Sequence, residues 1–351
     1  MSLKTGPNTA RRTMLGAIAS SPLWLQSAWA ESQPTRQSMK ISHQFPAGSV
    51  MEGDFRDRLC RMFAANVEKR TRGALKFSIY ANSSLMAPNA QFGALRKGGL
   101  DLALVPLSYA AGEAPEAGIG LMPGLVTTYA QGYAWKNADV GKELTRILAD
   151  QGLVVVSWIW QAGGVASRAN PIVAPEDVRG LKVRGGSREM DLILQEAGGQ
   201  VVSMPSNDIH GAMKSGALDA AFTSSTSLMS FRLQDVSRAL TSPRGGGYWF
   251  MLEPLLMSKT KFDRLSRAQQ AAVMTVGAEL EQFAMRMAQA DDAAVASVYA
   301  RSGARVAEMD AAALAKWREV ARSTAWADFG SRSENCAKLL ALAEKSMVVA
   351  L

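Results

Sequence analysis

The feature that most constrains the fold is an internal repeat of one strand–helix–strand pattern. The segment ALRKGGLDLAL at residues 94–104 has a counterpart, AMKSGALDAAF, at residues 212–222. In each copy a helix ends in a basic residue and glycine, which suits its unpaired carbonyls, and Leu-Asp then leads into a small apolar strand. A strand also precedes the helix in both copies, at residues 75–80 and 199–202. Two units of the same design predict a chain with two lobes.

The length of the chain agrees with two lobes, because 351 residues exceed what one ordinary hydrophobic core accommodates. We place the first lobe at residues 38–162 together with about 248–285. The second lobe takes residues 165–246 and about 286–351, which include long C-terminal helices. Glycine-rich joints separate the lobes, and the chain crosses over and returns. We therefore predict an α/β fold with two hinge strands.

The first thirty residues are typical of an export signal. Arg11-Arg12 precede an apolar stretch at residues 14–25, and Ala28-Trp29-Ala30 matches an A-x-A cleavage pattern. The motif TRRTML resembles a twin-arginine signal, and a Sec signal that happens to hold two arginines is the alternative. We expect residues 1–30 to be removed near Ala30, which would leave the mature protein in the periplasm.

The net charge and the few cysteines and histidines argue against several classes of function. The formal charge of +8 is spread without a lysine–arginine block, which favours an anionic small ligand over nucleic acid. Cys60 and Cys336 could pair in an oxidising compartment or remain buried thiols. The two cysteines and two histidines show no ligand spacing, so we expect neither metal nor cofactor. No nucleophile sits in a recognisable elbow, so we predict no catalytic residues.

Arg184 is the strongest candidate for a binding residue. It ends a short strand, LKVR, and precedes Gly185-Gly186, while Ser187 can cap the next helix. A guanidinium beside a helix N-terminus can hold a carboxylate through two parallel hydrogen bonds. A surface arginine at the end of a strand is the alternative interpretation.

Four further residues could reach a cleft between the lobes. Tyr109 and Trp249 adjoin predicted loop and hinge points, although such aromatic residues often belong to the core. Glu253 lies in an apolar strand and could bind a ligand hydroxyl, help to hold a cation, or pair with a structural arginine. His43 ends the first strand and either faces the cleft or is structural.

Three segments resemble a known family. They are HQFP at residues 43–46, DVRGLKVRGGSREMDLILQEAGGQVVSMPSNDIHGAMKSGALDAAF at residues 177–222, and SKTKFDRLSRAQQAAV at residues 258–273. They are similar to the periplasmic solute receptors of TRAP transporters, the DctP-type family, over about residues 39–309. The resemblance implies a type II-like periplasmic-binding-protein fold that closes over a ligand, with Arg184 on the substrate carboxylate. It also implies a membrane permease as partner.

The chain departs from that family at two places. Many members carry a second arginine in an Asn-Gly-x-Arg pattern, where this chain has GGVASRANPI and places Gly164 near the expected position. C4-dicarboxylates and sialic acid become less favoured ligands as a result. Thr223 and Ser224 stand where the family offers a polar contact, and they suit hydroxyl or keto oxygens. We therefore expect a monocarboxylate: a sugar acid, a keto or hydroxy acid, or an aromatic acid.

The preferred hypothesis is a binding protein that delivers an organic acid to a TRAP permease. An exported ligand-sensing subunit shares the fold and differs in its partner. An exported enzyme on the same fold is the third hypothesis. The oligomeric state is left open between a monomer and a dimer formed through the C-terminal helices.

Overall fold

The computed structural model describes residues 36–244 and 247–348, and the predicted signal at residues 1–30 lies outside this part of the chain. The strands are β1 Gln37–His43, β2 Leu75–Tyr80, β3 Leu102–Leu104, β4 Leu153–Ser157, β5 Trp160–Ser167, β6 Lys182–Arg184, β7 Gln200–Val201, β8 Ala220–Ser224, β9 Ala239–Ser242, β10 Phe250–Leu252, β11 Leu255–Ser258 and β12 Arg305–Glu308. The α-helices are α1 Phe55–Arg70, α2 Gln91–Arg96, α3 Tyr129–Trp135, α4 Asp139–Asp150, α5 Arg188–Glu196, α6 Ile209–Ser215, α7 Ser225–Ser230, α8 Lys259–Phe262, α9 Arg267–Arg301, α10 Ala311–Ala321, α11 Ala327–Arg332 and α12 Glu334–Val348. This is the mixed α/β composition that the sequence predicts.

The strands form two sheets. The first has the order β2-β1-β3-β11-β4, and the second has the order β12-β9-β5-β8-β6-β7, with β10 paired to β5. In the first sheet β1 runs parallel to β2 and β3, and in the second β6 runs parallel to β7 and β8. The two repeat copies therefore end in β3 and β8, one in each sheet.

Two short connections carry the chain between the sheets. One links β4 to β5 through Trp158 and Ile159, and the other links β10 to β11 through Glu253 and Pro254. They are joined to each other, because the amide of Glu253 donates to the carbonyl of Ile159 at 2.8 Å. The exact lobe boundaries proposed from the sequence stay a prediction.

Helix α9 packs against both halves of the molecule, each half being one sheet with the helices that pack on it. Its 35 residues follow the N-cap Ser266, a residue type that favours this position, and span about 50 Å at the usual rise per residue. Val273, Val276 and Leu280 pack in a core with residues of β1 and α1, whereas Val295 and Tyr299 pack with residues of β8 and β9. The helix thereby ties the two sheets along one side.

Three local expectations differ from the structure or are settled by it. Serine favours the N-cap, so the sequence predicts that Ser49 caps a helix running to about Arg70. Helix α1 instead begins at Phe55 under the cap of Asp54, and the Ser49 hydroxyl closes a separate turn. Gly163-Gly164 predict an interruption before a strand at residues 165–168, but β5 runs unbroken from Trp160 to Ser167. Cys60 and Cys336 are both buried free thiols. Among the described helices, none is both long and apolar enough to cross a membrane.

Candidate ligand-binding site between the two sheets

Arg184 is almost fully buried, with 3% of its surface exposed, at the carboxyl end of β6. Its Nε donates to the carbonyl of Met204 at 3.0 Å, Nη1 to the carbonyl of Phe222 at 2.8 Å, and Nη2 to the hydroxyl of Tyr109 at 2.9 Å. A guanidinium has five N–H groups, so one remains on each terminal nitrogen. In the described part of the chain no carboxylate forms an ion pair with Arg184. The site therefore holds a buried cation whose partners are all neutral.

The N-terminus of helix α5 follows Arg184 directly. The Ser187 hydroxyl caps it by accepting from the amide of Met190 at 2.9 Å, as predicted. Gly186 turns the chain with φ +89°, and a Cβ there would lie against the guanidinium. Glycine thus lets the arginine fold back beside the positive end of a nine-residue helix, where an anion is favoured.

Tyr109 joins the two sheets. It lies in a short turn after β3 of the first sheet, and its hydroxyl accepts from Arg184 and from the amide of Ser206 at 3.0 Å, both of the second-sheet half. Two donors occupy its lone pairs, so its own proton needs an acceptor. The side-chain amide of Gln44 lies 3.5 Å away, and its oxygen is buried with no partner among the described residues. Turning that amide over supplies the acceptor.

A cavity of about 220 Å³ opens beside this tyrosine and is lined in part by Ser108, Gly186, Asp191 and Met204. Burial raises the pKa of Asp191 to about 6, although the positive charge of Arg184 opposes the shift. The hydroxyl of Ser108 donates across the same region to the carbonyl of Gly186 at 3.2 Å. Contacts between the two halves therefore surround the arginine.

The two polar residues predicted to contact a ligand from β8, Thr223 and Ser224, have different surroundings. Thr223 is buried and lies opposite Gly164 in the β5–β8 ladder. A Cβ at Gly164 would overlap the carbonyl of Thr241, so this glycine permits close strand packing. The Ser224 hydroxyl caps α7 by accepting from the amide of Ser227 at 3.2 Å. That hydroxyl is therefore already engaged within the protein.

A second buried arginine, Arg56, was missed in the sequence. It lies in the first turn of α1 with 0% exposure and pairs with Asp54 at 2.7 Å and Glu253 at 3.4 Å. It also donates to the hydroxyl of Ser227 at 3.1 Å, so a first-sheet helix reaches α7 of the other half. One signal was available: a basic residue in the first turn of a helix opposes the helix dipole and needs carboxylates nearby.

Glu253 occupies the crossing between β10 and β11. Besides Arg56, its Oε2 accepts from Nε2 of Gln161 on β5. Burial raises the pKa of Glu253 to about 7; Arg56 opposes this, and the charge of Asp54 adds to it. The sequence left open whether this carboxylate would bind a ligand or a structural arginine, and its contacts here are those of the second alternative. The described residues contain no cluster of three or more potential metal ligands.

His43 is buried and both of its ring nitrogens are engaged. Nε2 lies 3.1 Å from Oδ1 of Asp57, and Nδ1 accepts from the amide of Phe45 at 3.3 Å. Asp57 also binds Arg61 and the amide of Gly48, and these donors outweigh burial and lower the pKa of Asp57. Both ring nitrogens of His43 therefore have partners within the protein.

The chain is similar to known bacterial solute-binding proteins. A family model described as bacterial extracellular solute-binding protein, family 7 (DctP), matches residues 41–331. A solute-binding protein of Albidiferax ferrireducens is 58% identical over 333 residues, which cover 95% of this chain and 97% of the relative.

Two solved structures extend the likeness. A TRAP periplasmic solute-binding protein from Rhodoferax ferrireducens with bound malonate is 60% identical, has a TM-score of 0.88, and matches over 89% of this chain and 99% of its own. A second, from Sulfitobacter with bound β-D-galacturonate, has a TM-score of 0.80 over 88% of this chain and 100% of its own. At 20% identity that second likeness shows the fold alone. The predicted two-lobed fold is confirmed.

Proposed function

The chain belongs to family 7 of the bacterial extracellular solute-binding proteins, the DctP family, and from this premise we propose that it captures an organic acid between its lobes for a TRAP transporter. One observation carries the proposal. Arg184 is buried where the halves meet, bonded only to neutral acceptors, and has one N–H left on each terminal nitrogen. A carboxylate is the group that fits two such donors.

Two internal hydrogen bonds hold the guanidinium within one half, and the third joins it to the other half. Two of its acceptors, the carbonyls of Met204 and Phe222, belong to one half, and Tyr109 belongs to the other. The full set of contacts therefore exists only when the halves are together. Because ligand contacts made solely in the closed state favour that state, binding and closure are coupled.

The ligand class follows from the relatives and from the charges. A relative with 60% identity was solved with malonate, which supports a small organic acid. Arg56 is already paired with Asp54 and Glu253, so Arg184 is the cation available for a ligand. These contacts favour an acid bound through one carboxylate.

Partner and location complete the proposal. We propose that residues 1–30 direct export to the periplasm, where the relatives named as periplasmic proteins act, and that the loaded protein docks on the membrane permease of its transporter. We propose no catalysis, since the relatives are solute-binding proteins. A monomer or a dimer through the C-terminal helices fits this role.

The test is calorimetric titration of the mature protein with a panel of acids: malonate, galacturonate, pyruvate and benzoate. We expect one class to bind, and Arg184→Ala to weaken its binding by more than about 10-fold, since a hydrogen bond to a charged group contributes about 1.5–3 kcal/mol. Arg146→Ala is the matched control, because its side chain is 51% exposed and pairs with Glu143 and Asp150 within α4. Undiminished binding by Arg184→Ala would show that the clamp is assigned to the wrong residue.

A further inference from the structure

Trp249 lies directly opposite Gly163 where two strands meet. Phe250 of β10 pairs with Ala162 of β5, so the position before Phe250 faces Gly163. A Cβ at residue 163 would overlap the six-membered ring of the indole and lie 2.6 Å from the carbonyl of Thr223. The indole therefore fills the space that a β5 side chain would take.

This indole lies at the same sheet edge as Arg184. Gly163 pairs with Ser224, the last residue of β8, and Arg184 holds the carbonyl of Phe222 near that end of the same strand. Strand β8 lies between β5 and β6. The guanidinium of Arg184 contacts the carbonyl of Phe222, and the position that the indole covers at Gly163 lies 2.6 Å from the carbonyl of Thr223, so the two groups lie against consecutive residues of β8. A compact ligand suffices to contact both.

The indole N–H is buried without an acceptor. Trp249 has 1% of its surface exposed, and its Nε1 has no hydrogen-bond partner in residues 36–244 and 247–348. A buried donor that lacks a partner is costly, and an indole can only donate. An acceptor oxygen supplied by a ligand would satisfy it.

The charges near this edge disfavour a second anion. Arg56 faces two carboxylates, Asp54 and Glu253, and Asp191 lies beside Arg184. Of the two arginines that are buried in the described residues, Arg184 is the one without a carboxylate at ion-pair distance. A ligand with two ionised carboxylates would bury its second charge without a cation, which is strongly unfavourable.

We propose that an acid held by Arg184 turns an uncharged oxygen toward the N–H of Trp249, so that the site selects compact acids in their singly charged form. The inference rests on the proposed function, because it specifies the far end of the same ligand. A carbonyl, a hydroxyl or a protonated carboxyl group would serve as the second contact.

The experiment compares malonate with its half-amide, malonamate, by calorimetry on the mature protein at pH 6 and pH 8. Malonamate has the same shape with one charge fewer, so it reports the change in affinity that ionisation of Asp191 causes for any anion bound beside Arg184. Any additional loss of affinity for malonate then belongs to its second carboxyl group. The affinity for malonate should fall as pH rises, approaching about tenfold per pH unit, because its second carboxylate must take up a proton in order to bind. At pH 8 malonamate should be the tighter ligand.

Two tryptophan variants test the donor. Trp249→Phe keeps a ring over Gly163 but removes the N–H, and should weaken malonamate about three- to tenfold. Trp160→Phe is the matched control, because this indole is also buried with an unpartnered Nε1 in the described chain, but packs edge-to-face on Trp135 at 5.2 Å. It should leave the affinity unchanged, and thermal unfolding should confirm that both variants fold.

Several outcomes overturn the inference. Tighter binding of malonate than malonamate at pH 8 would show that a second charge is accepted. If Trp249→Phe binds malonamate as tightly as the wild type does, the indole N–H does not contact the ligand and Trp249 only packs against Gly163. If neither probe binds while another acid binds through Arg184, the inference fails and the proposed function stands. If no acid binds the wild-type protein, the proposed function fails as well.

Discussion

Replacing Glu253 by glutamine should make the protein's stability less dependent on pH. The carboxylate is fully buried in the crossing between β10 and β11, and its pKa is raised from 4.5 to about 7. Burial is the main cause, the charge of Asp54 adds to it, and the attraction of Arg56 only partly compensates. The folded protein therefore holds this proton more tightly than the unfolded chain.

The sign follows from proton linkage. Between the unfolded pKa near 4.5 and the folded pKa near 7, the native state binds a proton that the unfolded state has released. The free energy of unfolding consequently falls as pH rises through this window and levels off above it. At about 1.4 kcal/mol per pH unit, the loss between pH 5 and pH 8 is about 2 to 3 kcal/mol.

The assay is urea unfolding followed by circular dichroism at pH 5, 6, 7 and 8. Glutamine cannot ionise, so Glu253→Gln should gain about 2 to 3 kcal/mol relative to the wild type between pH 5 and pH 8. Taking the difference between the two proteins removes the contribution of other groups that titrate here, such as Asp191 and Asp292. Glu52→Gln, at an exposed position in the turn before α1, is the control.

The reasoning would be refuted by a difference in unfolding free energy that is the same at pH 5 and pH 8. A constant offset added to a pH-dependent difference is compatible with it, because glutamine also weakens the contact with Arg56. An opposite trend, in which the wild type gains stability with pH, would mean that the arginine outweighs burial and lowers the pKa of Glu253.

Two further changes probe the contacts between the halves. Arg56→Ala should lower the free energy of unfolding by about 3–5 kcal/mol, because two buried carboxylates lose their cation, and urea unfolding of this variant beside Arg58→Ala would measure it. A loss below 1 kcal/mol would contradict the pairing. Tyr109→Phe should weaken acid binding about three- to tenfold, since Arg184 and the amide of Ser206 lose an acceptor, and calorimetry beside Tyr80→Phe would detect it. Unchanged affinity would mean that the hydroxyl is dispensable.

The main outline of the fold could be predicted from the repeat. A helix that ends in a basic residue and glycine before an apolar strand is a local pattern, and the two copies end in strands of separate sheets as expected. The predicted start of α1 at Ser49 was wrong because Ser49 and Asp54 both suit an N-cap. In the structure Asp54 takes that role and accepts from the amide of Arg56, two residues along the chain.

The site was predictable only in part. Local spacing placed Arg184 at a strand end beside a helix N-terminus, and the structure has it there. The pairing of Arg56 with Glu253 joins residues almost two hundred positions apart, and no local pattern reveals such a contact. The overlap of Trp249 with Gly163 likewise depends on the register of β10 with β5.

The two buried arginines show how burial and charge divide the roles within one site. Both lie almost entirely out of water, where an ionised group is costly unless it is compensated. Arg56 is compensated by two carboxylates of its own chain, so it adds cohesion between the halves and little attraction for an anion. Arg184 is held by carbonyl and hydroxyl oxygens, which orient the guanidinium without forming an ion pair, and Asp191 nearby compensates its charge only in part. An acid that binds there supplies the missing charge, and its carboxylate therefore gains more at Arg184 than at any cation already paired.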